Sequence, residues 1–586
     1  MQRSLVLKHL ALAFLPLLAL AGAGCSRGGE GGQAAAAPKA TDAPPSFRFV
    51  DVQKQAGLHF THTDGGSGRK FFVEQFCSGC AFIDFDNDGL LDVYAVNGAP
   101  LPGAPASPRP RHELYRNRGN GAFEQVTDRA RLGSTRFGGG VCAGDYDNDG
   151  WSDLYVTNFG ENHLYRNNGD GTFTDVAAKA RVTDDGLSTS AAFLDYDNDG
   201  WLDLYVCDYV RYRLEDDRWC SSPKRHKSYC GPEVFPSNRD KLYRNNRDGT
   251  FTDVTVQAKI AHPRSKSLGV VPTDVNDDGW MDLYVACDLV ANLLFINNRD
   301  GTFRETAVSS GVAYNADGAA EAGMGVTAGD YDNDGLMDLF VTNYSMEMNG
   351  LYHNEGSGMF SYQSERTGIG PPSFVHLGFG ARFSDFDNDG WQDVVVANGH
   401  VLDDCAESNQ ALEYAQTLLL QRSLGGQSFT DVSRSAGPAF QEKYIGRGLA
   451  LGDYDNDGKV DLLVSNNKGP LRLIRNETGG TGNWVKLLLT GTRSNRSAIG
   501  ARVTLISQSG KQTQEVVSGS SYLSQSDLRL HFGLNREDRV AEVRVRWPGG
   551  ATEIWKDLPV NQIHPLREGT GAVQPGRGAG GKPGKP

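Results

Sequence analysis

Seven segments of the chain read D-x-[DN]-x-D-G-x-x-D, starting at Asp84, Asp145, Asp195, Asp274, Asp330, Asp385 and Asp453. Oxygens at alternate positions of a tight loop converge on one point. A calcium ion, which takes roughly six to eight oxygens at about 2.3–2.6 Å, suits such a cage. The expected ligands of the first loop are Asp84, Asp86, Asp88, the Leu90 carbonyl and Asp92. Those of the second are Asp145, Asp147, Asp149, the Trp151 carbonyl and Asp153, and of the third Asp195, Asp197, Asp199, the Trp201 carbonyl and Asp203. The fourth offers Asp274, Asn276, Asp278, the Trp280 carbonyl and Asp282, with a neutral, weaker oxygen at Asn276. The fifth offers Asp330, Asp332, Asp334, the Leu336 carbonyl and Asp338, and the sixth Asp385, Asp387, Asp389, the Trp391 carbonyl and Asp393. The seventh offers Asp453, Asp455, Asp457, the Lys459 carbonyl and Asp461. The glycine at position six, Gly150 in the second loop, permits the sharp bend. The closing residue is Asp at position nine, not the Glu at twelve of an EF-hand, and a strand follows at once. The alternative is a set of acidic turns without metal, in which neighbouring carboxylates would repel strongly.

The charge agrees with this chemistry. The chain has 586 residues and a net charge of −14. Removing residues 1–24 takes away Arg3 and Lys8 and no acid, giving −16, and up to seven Ca2+ would then leave −2. No basic stripe of the kind that binds nucleic acid is evident. The 72 glycines suit an all-β chain with many turns.

The loop starts are 61, 50, 79, 56, 55 and 68 residues apart, a period that points to a propeller or solenoid. The third unit shows the repeat in short form. Ala191–Leu194 leads into the Asp loop, and Asp203–Val206, Lys241–Asn245 and Phe251–Val254 are three further β runs. Four short strands are the content of a propeller blade. The F-x-D-V strand follows the third strand of earlier units, as at Phe173, Phe251 and Phe429, but is missing after Leu471–Asn476. The missing copy lies at the N-terminal end, Phe49-Val50-Asp51-Val52, so the first strand of the domain is expected to complete the last blade and close a ring.

These units resemble FG-GAP or VCBS repeats, the blades of integrin alpha-chain propellers, through G-x-x-x-D-x-D-N-D-G-x-x-D and L-Y-R-N-x-x-G-x-F over residues 47–477. The resemblance implies a seven-bladed propeller with calcium in the loops. Residues 482–568 resemble an ASPIC/UnbV domain, as in the cartilage acidic protein family, through Asn483-Trp484-Val485-Lys486-Leu487, Ser494–Ala501, Phe532-Gly533-Leu534 and Val545–Gly550. Alternation in Ala501–Leu505 and Ala541–Val545 reads as half-buried strands of a small sandwich. The expected fold class is therefore all-β, a seven-bladed propeller followed by a small C-terminal sandwich. Asn495, Arg496 and Trp547 are either a binding patch or, preferably, turn and core residues.

The N-terminal end reads as a targeting segment. Arg3 and Lys8 precede an apolar run, Leu10–Leu20, too short to span a bilayer. Leu20-Ala21-Gly22-Ala23-Gly24-Cys25 resembles a bacterial lipoprotein signal, with Gly22 where Leu is usual. This implies lipidation at Cys25 and attachment to the cell envelope, with plain secretion as the alternative. Residues 25–46 read as a flexible tether and 569–586 as a disordered tail.

Export permits disulfides. Cys220 and Cys230, both in the insertion 209–240, are the best candidate pair. Cys77-Ser-Gly-Cys80 lacks the helix of a redox motif, and no His follows it for haem attachment, so a structural disulfide or buried thiols are preferred. The insertion also carries Arg211, Arg213, Trp219, Lys224, Arg225, His226 and Tyr229, which makes it either a recognition surface or a braced plug. A polar residue ends the second strand of six units, Asn97, Asn158, Asp208, Asn343, Asn398 and Asn466; tying down neighbouring turns is preferred to a ligand site. His376 and His400 with Asp403 and Asp404 match no metal spacing, and no G-x-S-x-G, H-E-x-x-H or P-loop occurs. The favoured function is a non-catalytic, extracytoplasmic calcium-binding scaffold that recognises a protein or glycan. The alternatives are a carbohydrate-active enzyme with its site at one mouth of the channel and a structural assembly factor.

Overall fold

The computed structural model describes residues 46–104 and 110–573. The segments expected as signal peptide (1–24), lipidated Cys25 and tether up to residue 45, and the tail beyond residue 573, lie outside the described residues.

Seven four-stranded antiparallel sheets succeed one another along the chain. Blade three is Ser188–Leu194, Asp203–Asp208, Lys241–Asn245 and Phe251–Asp253 in sequential order. Its second strand, D-L-Y-V-C-D, is buried on both faces because each face meets another blade. Leu204 and Val206 pack with Tyr155 and Leu164 of blade two, while Tyr205 and Cys207 pack with Leu283 and Val285 of blade four. Period-two alternation here sorts side chains between two neighbours, not between core and water.

The ring closes as the strand count requires. Phe49–Asp51 is the outer strand of the seventh sheet, with Phe49 opposite Asn476, Val50 opposite Arg475 and Asp51 opposite Ile474. Phe49 sits under Phe386 and Phe440. Deleting residues 46–52 would leave the edge of Arg472–Asn476 unpaired, and exposed edges recruit other chains. The expected result is a chain that elutes as higher oligomers in size-exclusion chromatography while the full chain stays discrete.

The C-terminal domain is two packed sheets. Leu530–Asn535, Asn483–Thr490 and Gln562–Arg567 form one. Lys511–Glu515, Arg502–Ile506, Arg539–Arg546, Thr552–Pro559 and Ala572–Val573 form the other. Val485, Leu487, Val503, Phe532, Val543 and Trp547 fill the space between them. Order runs further than the tail placed from residue 569. Ala572 pairs with Ile554, and the Glu553 carboxylate accepts the Gly569 and Gly571 amides. A glycine-rich run conceals this, because its strand is only two residues long.

One segment of this domain enters the propeller. Gln525 exchanges backbone hydrogen bonds with Cys80 and Phe82 of blade one, both at 3.0 Å. The Leu523 carbonyl accepts from Val141 of blade two, and its amide donates to Ser190 Oγ of blade three, both at 3.1 Å. Ser521 pairs with Val326 of blade five, and its hydroxyl accepts the Ala381 amide of blade six at 3.1 Å. Ser526 Oγ accepts the Leu451 amide of blade seven at 3.0 Å. The inner strands give way with glycine. A Cβ on Gly140 would lie 2.9 Å from Leu523 Cα, and one on Gly325 only 2.2 Å from the Phe379 carbonyl oxygen.

At the tip Tyr522 is fully buried, its ring 4.8 Å from Phe379 and its hydroxyl donating to the Phe76 carbonyl at 3.0 Å. Arg447 stacks 4.2 Å from the Phe379 ring centre and donates to the carbonyls of Gln75, Gly399 and Gly446. Beyond Tyr522 the channel continues into Phe72, Phe76, Tyr209, Tyr212 and Phe235. The axis of the ring is a packed core.

Candidate metal centres

Each acidic loop joins the first and second strands of its blade, so all seven lie on one rim. The connections between second and third strands, including 209–240, lie on the other rim. The C-terminal domain contacts the acidic rim.

Within a loop the aspartates hold the turn as well as facing its centre. In loop two the Asp149 and Gly150 amides donate to the two oxygens of Asp145 at 3.0 and 2.7 Å. The position-seven amide donates to the position-five carboxylate throughout: Leu90 to Asp88, Trp151 to Asp149, Trp201 to Asp199, Trp280 to Asp278, Leu336 to Asp334, Trp391 to Asp389 and Lys459 to Asp457. The closing Asp accepts two amides, one from the loop and one from the third strand. Asp92 takes those of Phe85 and Asn117, and Asp153 those of Tyr146 and Asn167. Asp203, Asp282, Asp338, Asp393 and Asp461 repeat the pattern.

The carboxylate oxygens left over answer whether a cation fits. Oδ1 of Asp86, Asp147, Asp197 and Asp387, and Oδ1 of Asp330 in loop five, are buried with no hydrogen-bond partner. Ligand atoms of Asp84, Asp86 and Asp92 lie within 4.8 Å of one another, as do those of Asp145, Asp147 and Asp153, of Asp195, Asp197 and Asp199, and of Asp330, Asp332 and Asp334. Burial first, then the adjacent carboxylates, pushes Asp92 up to about 8, Asp145 and Asp195 to about 7 and Asp330 to about 8. Clustered, desolvated and partnerless oxygens are what a hard dication relieves.

Loops four and seven differ. In loop seven the Lys486 ammonium, from the C-terminal domain, lies 2.5 Å from Asp453 Oδ2 with both side chains buried. Asp455 is exposed, and its Oδ1 accepts the Asp457 amide at 3.4 Å. Opposed by burial, the Lys486 charge leaves the Asp453 carboxyl below its usual range. In loop four Arg546 contacts Asp274 Oδ2 at 2.5 Å and Asp277 Oδ1 at 2.8 Å, and Asn276 Oδ1 accepts the Asp278 amide at 3.2 Å. Among the described residues no cation touches the first aspartate of the other five loops.

Two sets of residues that the sequence reading passed over complete the rim. In blades one, two and six the third-strand arginine reaches back to its own loop, Arg116 to Asp86 and Asp88, Arg166 to Asp147 and Asp149 and Arg422 to Asp387 and Asp389, while in blade three Arg247, just beyond the strand, takes Asp199. Blade five has His353 instead, pushed up to about 9 by its hydrogen bond to Asp338. The asparagine at loop position four is left-handed, φ 56° at Asn87 and 57° at Asn148, which asparagine tolerates. Its amide ties each loop to the next blade: Asn87 to the Gly150 carbonyl, Asn148 to Gly200, Asn198 to Gly279, Asn333 to Gly390, Asn388 to Gly458 and Asn456 to Gly89, at 2.9–3.2 Å. The link from blade four to five is missing, because Asp277 cannot donate. Arg502 of the C-terminal domain donates to the Gly335 carbonyl in its place. The N in D-x-D-N-D-G was the available signal.

On the opposite rim Cys220 and Cys230 are bonded, their Cα atoms 5.2 Å apart. Tyr209, Val210, Tyr212 and Phe235 of the insertion are core, while Arg211, Arg213, Arg218, Trp219, Lys224, Arg225 and His226 are exposed. Asp403 binds Lys70 at 2.7 Å, and Asp404 accepts Ser228 Oγ at 3.0 Å, so both acids clamp the cap. His400 is buried, lowered to about 4, and bonded to Ser345; His376 rests on the Pro372 carbonyl. Cys77 and Cys80 are separate buried thiols, and burial pushes Cys80 up to about 12. Asn97, Asn158, Asn343, Asn398 and Asn466 donate to nearby loop carbonyls. Asp208 cannot, and both its oxygens are buried without a partner. Asn495 closes a turn on Ile499, Trp547 is core, and the Arg496 amide donates to Asn148 of loop two.

Comparison with known proteins agrees with this architecture. Cartilage acidic protein 1 of Mus musculus is 27% identical over 304 residues, 51% of this chain and 44% of that protein. Its Xenopus tropicalis counterpart is 27% identical over 292 residues, 48% of this chain and 42% of that protein. The chain thus spans under half the length of the curated relatives it matches. Among solved structures, the BP39L lectin of Burkholderia pseudomallei is 10% identical with a TM-score of 0.42, covering 70% of this chain and 98% of that one. The exotype rhamnogalacturonan lyase YesX is 13% identical with a TM-score of 0.30, covering 84% and 91%. Residues 491–573 match the ASPIC and UnbV family. FG-GAP-like repeats match at 84–156, 145–206, 234–285, 274–341, 330–396 and 385–464, more than half of the chain, and the protein therefore belongs to the FG-GAP-like repeat family.

Proposed function

We propose that the protein is an exported, lipid-anchored, calcium-binding scaffold that recognises a protein or glycan without acting on it chemically. The observation that carries this reading is the cap on the rim opposite the acidic loops. Trp219 is 72% exposed on a disulfide-braced loop, with Lys227 Nζ 5.8 Å from its ring and Arg218, Lys224 and Arg225 exposed on the same insertion. An aromatic face bordered by cations on a rigid support suits an acidic glycan or an acidic protein surface. The enzyme alternative would place its site at a mouth of the channel, whose axis Tyr522, Phe72 and Phe235 pack, at the hollow lined by Arg211, Arg213, Asp216 and Phe235. Among the described residues no helix is long and apolar enough to cross a membrane, and a lipid at Cys25 would supply the anchor.

The test is a screen of the full chain against acidic and neutral glycans and acidic protein ligands. Trp219→Ala is expected to weaken the strongest hit at least about tenfold, a loss of ~1.4 kcal/mol, while calcium content stays the same. Affinity unchanged in Trp219→Ala removes the cap as the recognition surface. Turnover of any hit returns the reading to an enzyme.

A further inference from the structure

We infer that loops four and seven do not take calcium: cations of the C-terminal domain occupy their place, and the chain binds five ions, not seven. This rests on the reading that the remaining loops bind calcium. Two independent features divide the loops in the same way. Buried, partnerless carboxylate oxygens occur in loops one, two, three, five and six. Among the described residues, cations from the C-terminal domain touch the first aspartate only in loops four and seven.

The chemistry is one of substitution. Lys486 is 1% exposed, and among the described residues its one carboxylate partner is Asp453, itself fully buried. A dication in loop seven would share that carboxylate with a buried ammonium a few ångströms away. In a low-dielectric interface the repulsion is large, and removing the ammonium's counter-ion leaves a buried charge uncompensated. Trp484 closes the same loop, since a Cβ on Gly458 would lie 1.8 Å from its Nε1.

In loop four the guanidinium of Arg546 spans Asp274 and Asp277, and Arg502 donates to the Asp274 carbonyl at 3.2 Å. Glu515 in turn accepts Thr273 Oγ1 at 2.7 Å. Asn276 has already removed one ligand charge, and Asp277 breaks the asparagine ring where Arg502 enters. Both departures from the repeat therefore sit where the C-terminal domain docks. Two acidic loops have become sockets for it, and the other five remain ion sites.

Calcium counted on the full chain after equilibrium dialysis at saturating Ca2+ is expected to be five ions per chain. Six or seven would overturn the inference alone, whereas none would overturn the calcium reading beneath it. Asp147→Ala is expected to lower the count to four, and Asp455→Ala to leave it at five. A fall with Asp455→Ala in a folded chain would overturn the assignment of loop seven. Lys486→Met is expected to raise the count to six, and a folded Lys486→Met chain that still holds five would show that the ammonium is not what excludes the ion.

Discussion

Chelation by EDTA is expected to lower the melting temperature of the full chain by about 6 °C. An ion bound only by the folded state stabilises it in proportion to the logarithm of its excess over Kd. A tenfold excess contributes about 1.4 kcal/mol per site. Five such sites contribute about 7 kcal/mol, and at about 2.1 cal/mol/K of unfolding entropy per residue a chain of 586 residues shifts by about 0.8 °C per kcal/mol, or about 6 °C in all. The structure gives the reason beyond mass action. Asp92, Asp153, Asp203 and Asp393 are buried among other carboxylates, which pushes their carboxyls far above the usual range. Without a cation each loop must hold that charge or take up protons. Scanning calorimetry with and without chelator decides it, with magnesium as control. A melting temperature unmoved by EDTA, with calcium removal verified, would end the calcium reading.

Tyr522→Ala is expected to cost about 3–5 kcal/mol, in the range for deleting a buried aromatic ring. The ring touches Phe379, and its hydroxyl holds the Phe76 carbonyl, so both the acidic-rim domain and the opposite cap rest on it. Tyr522→Phe keeps the packing and loses one hydrogen bond, about 1 kcal/mol. Urea denaturation separates the two. If Tyr522→Ala and Tyr522→Phe lose the same amount, packing at the tip is not what the residue supplies.

Much of this was legible in the residues because the repeat states its own geometry. The acidic loops fix where the first and second strands meet, and the displaced F-x-D-V copy at Phe49 predicts the pairing with Asn476. The Cys220–Cys230 bond follows from two cysteines close in one insertion. What stayed hidden depends on contacts between distant segments. Ser518-Gly519-Ser520-Ser521-Tyr522-Leu523-Ser524-Gln525 reads as a polar connector, since small hydroxyl residues are what a linker also uses. Its hydroxyls are needed for another reason: inside the ring they meet the polar backbone of the inner strands. Arg502, Arg546 and Lys486 look like ordinary outward residues of half-buried strands. Only the docking of one domain on another gives them carboxylates. Asn148 looks like a turn residue until Gly200, one blade away, is seen to accept its amide.

The plug has a consequence for how such rings vary. Its backbone and side chains reach inner strands on opposite sides of the axis at once, from Cys80 to Val326 and from Val141 to Ala381. A ring with one more repeat would widen the axis, and a ribbon of fixed width could no longer span it. A ring with one fewer would leave no room for Tyr522. The segment thus works as a gauge of circumference: duplication or loss of a single repeat breaks the fit unless the gauge changes with it.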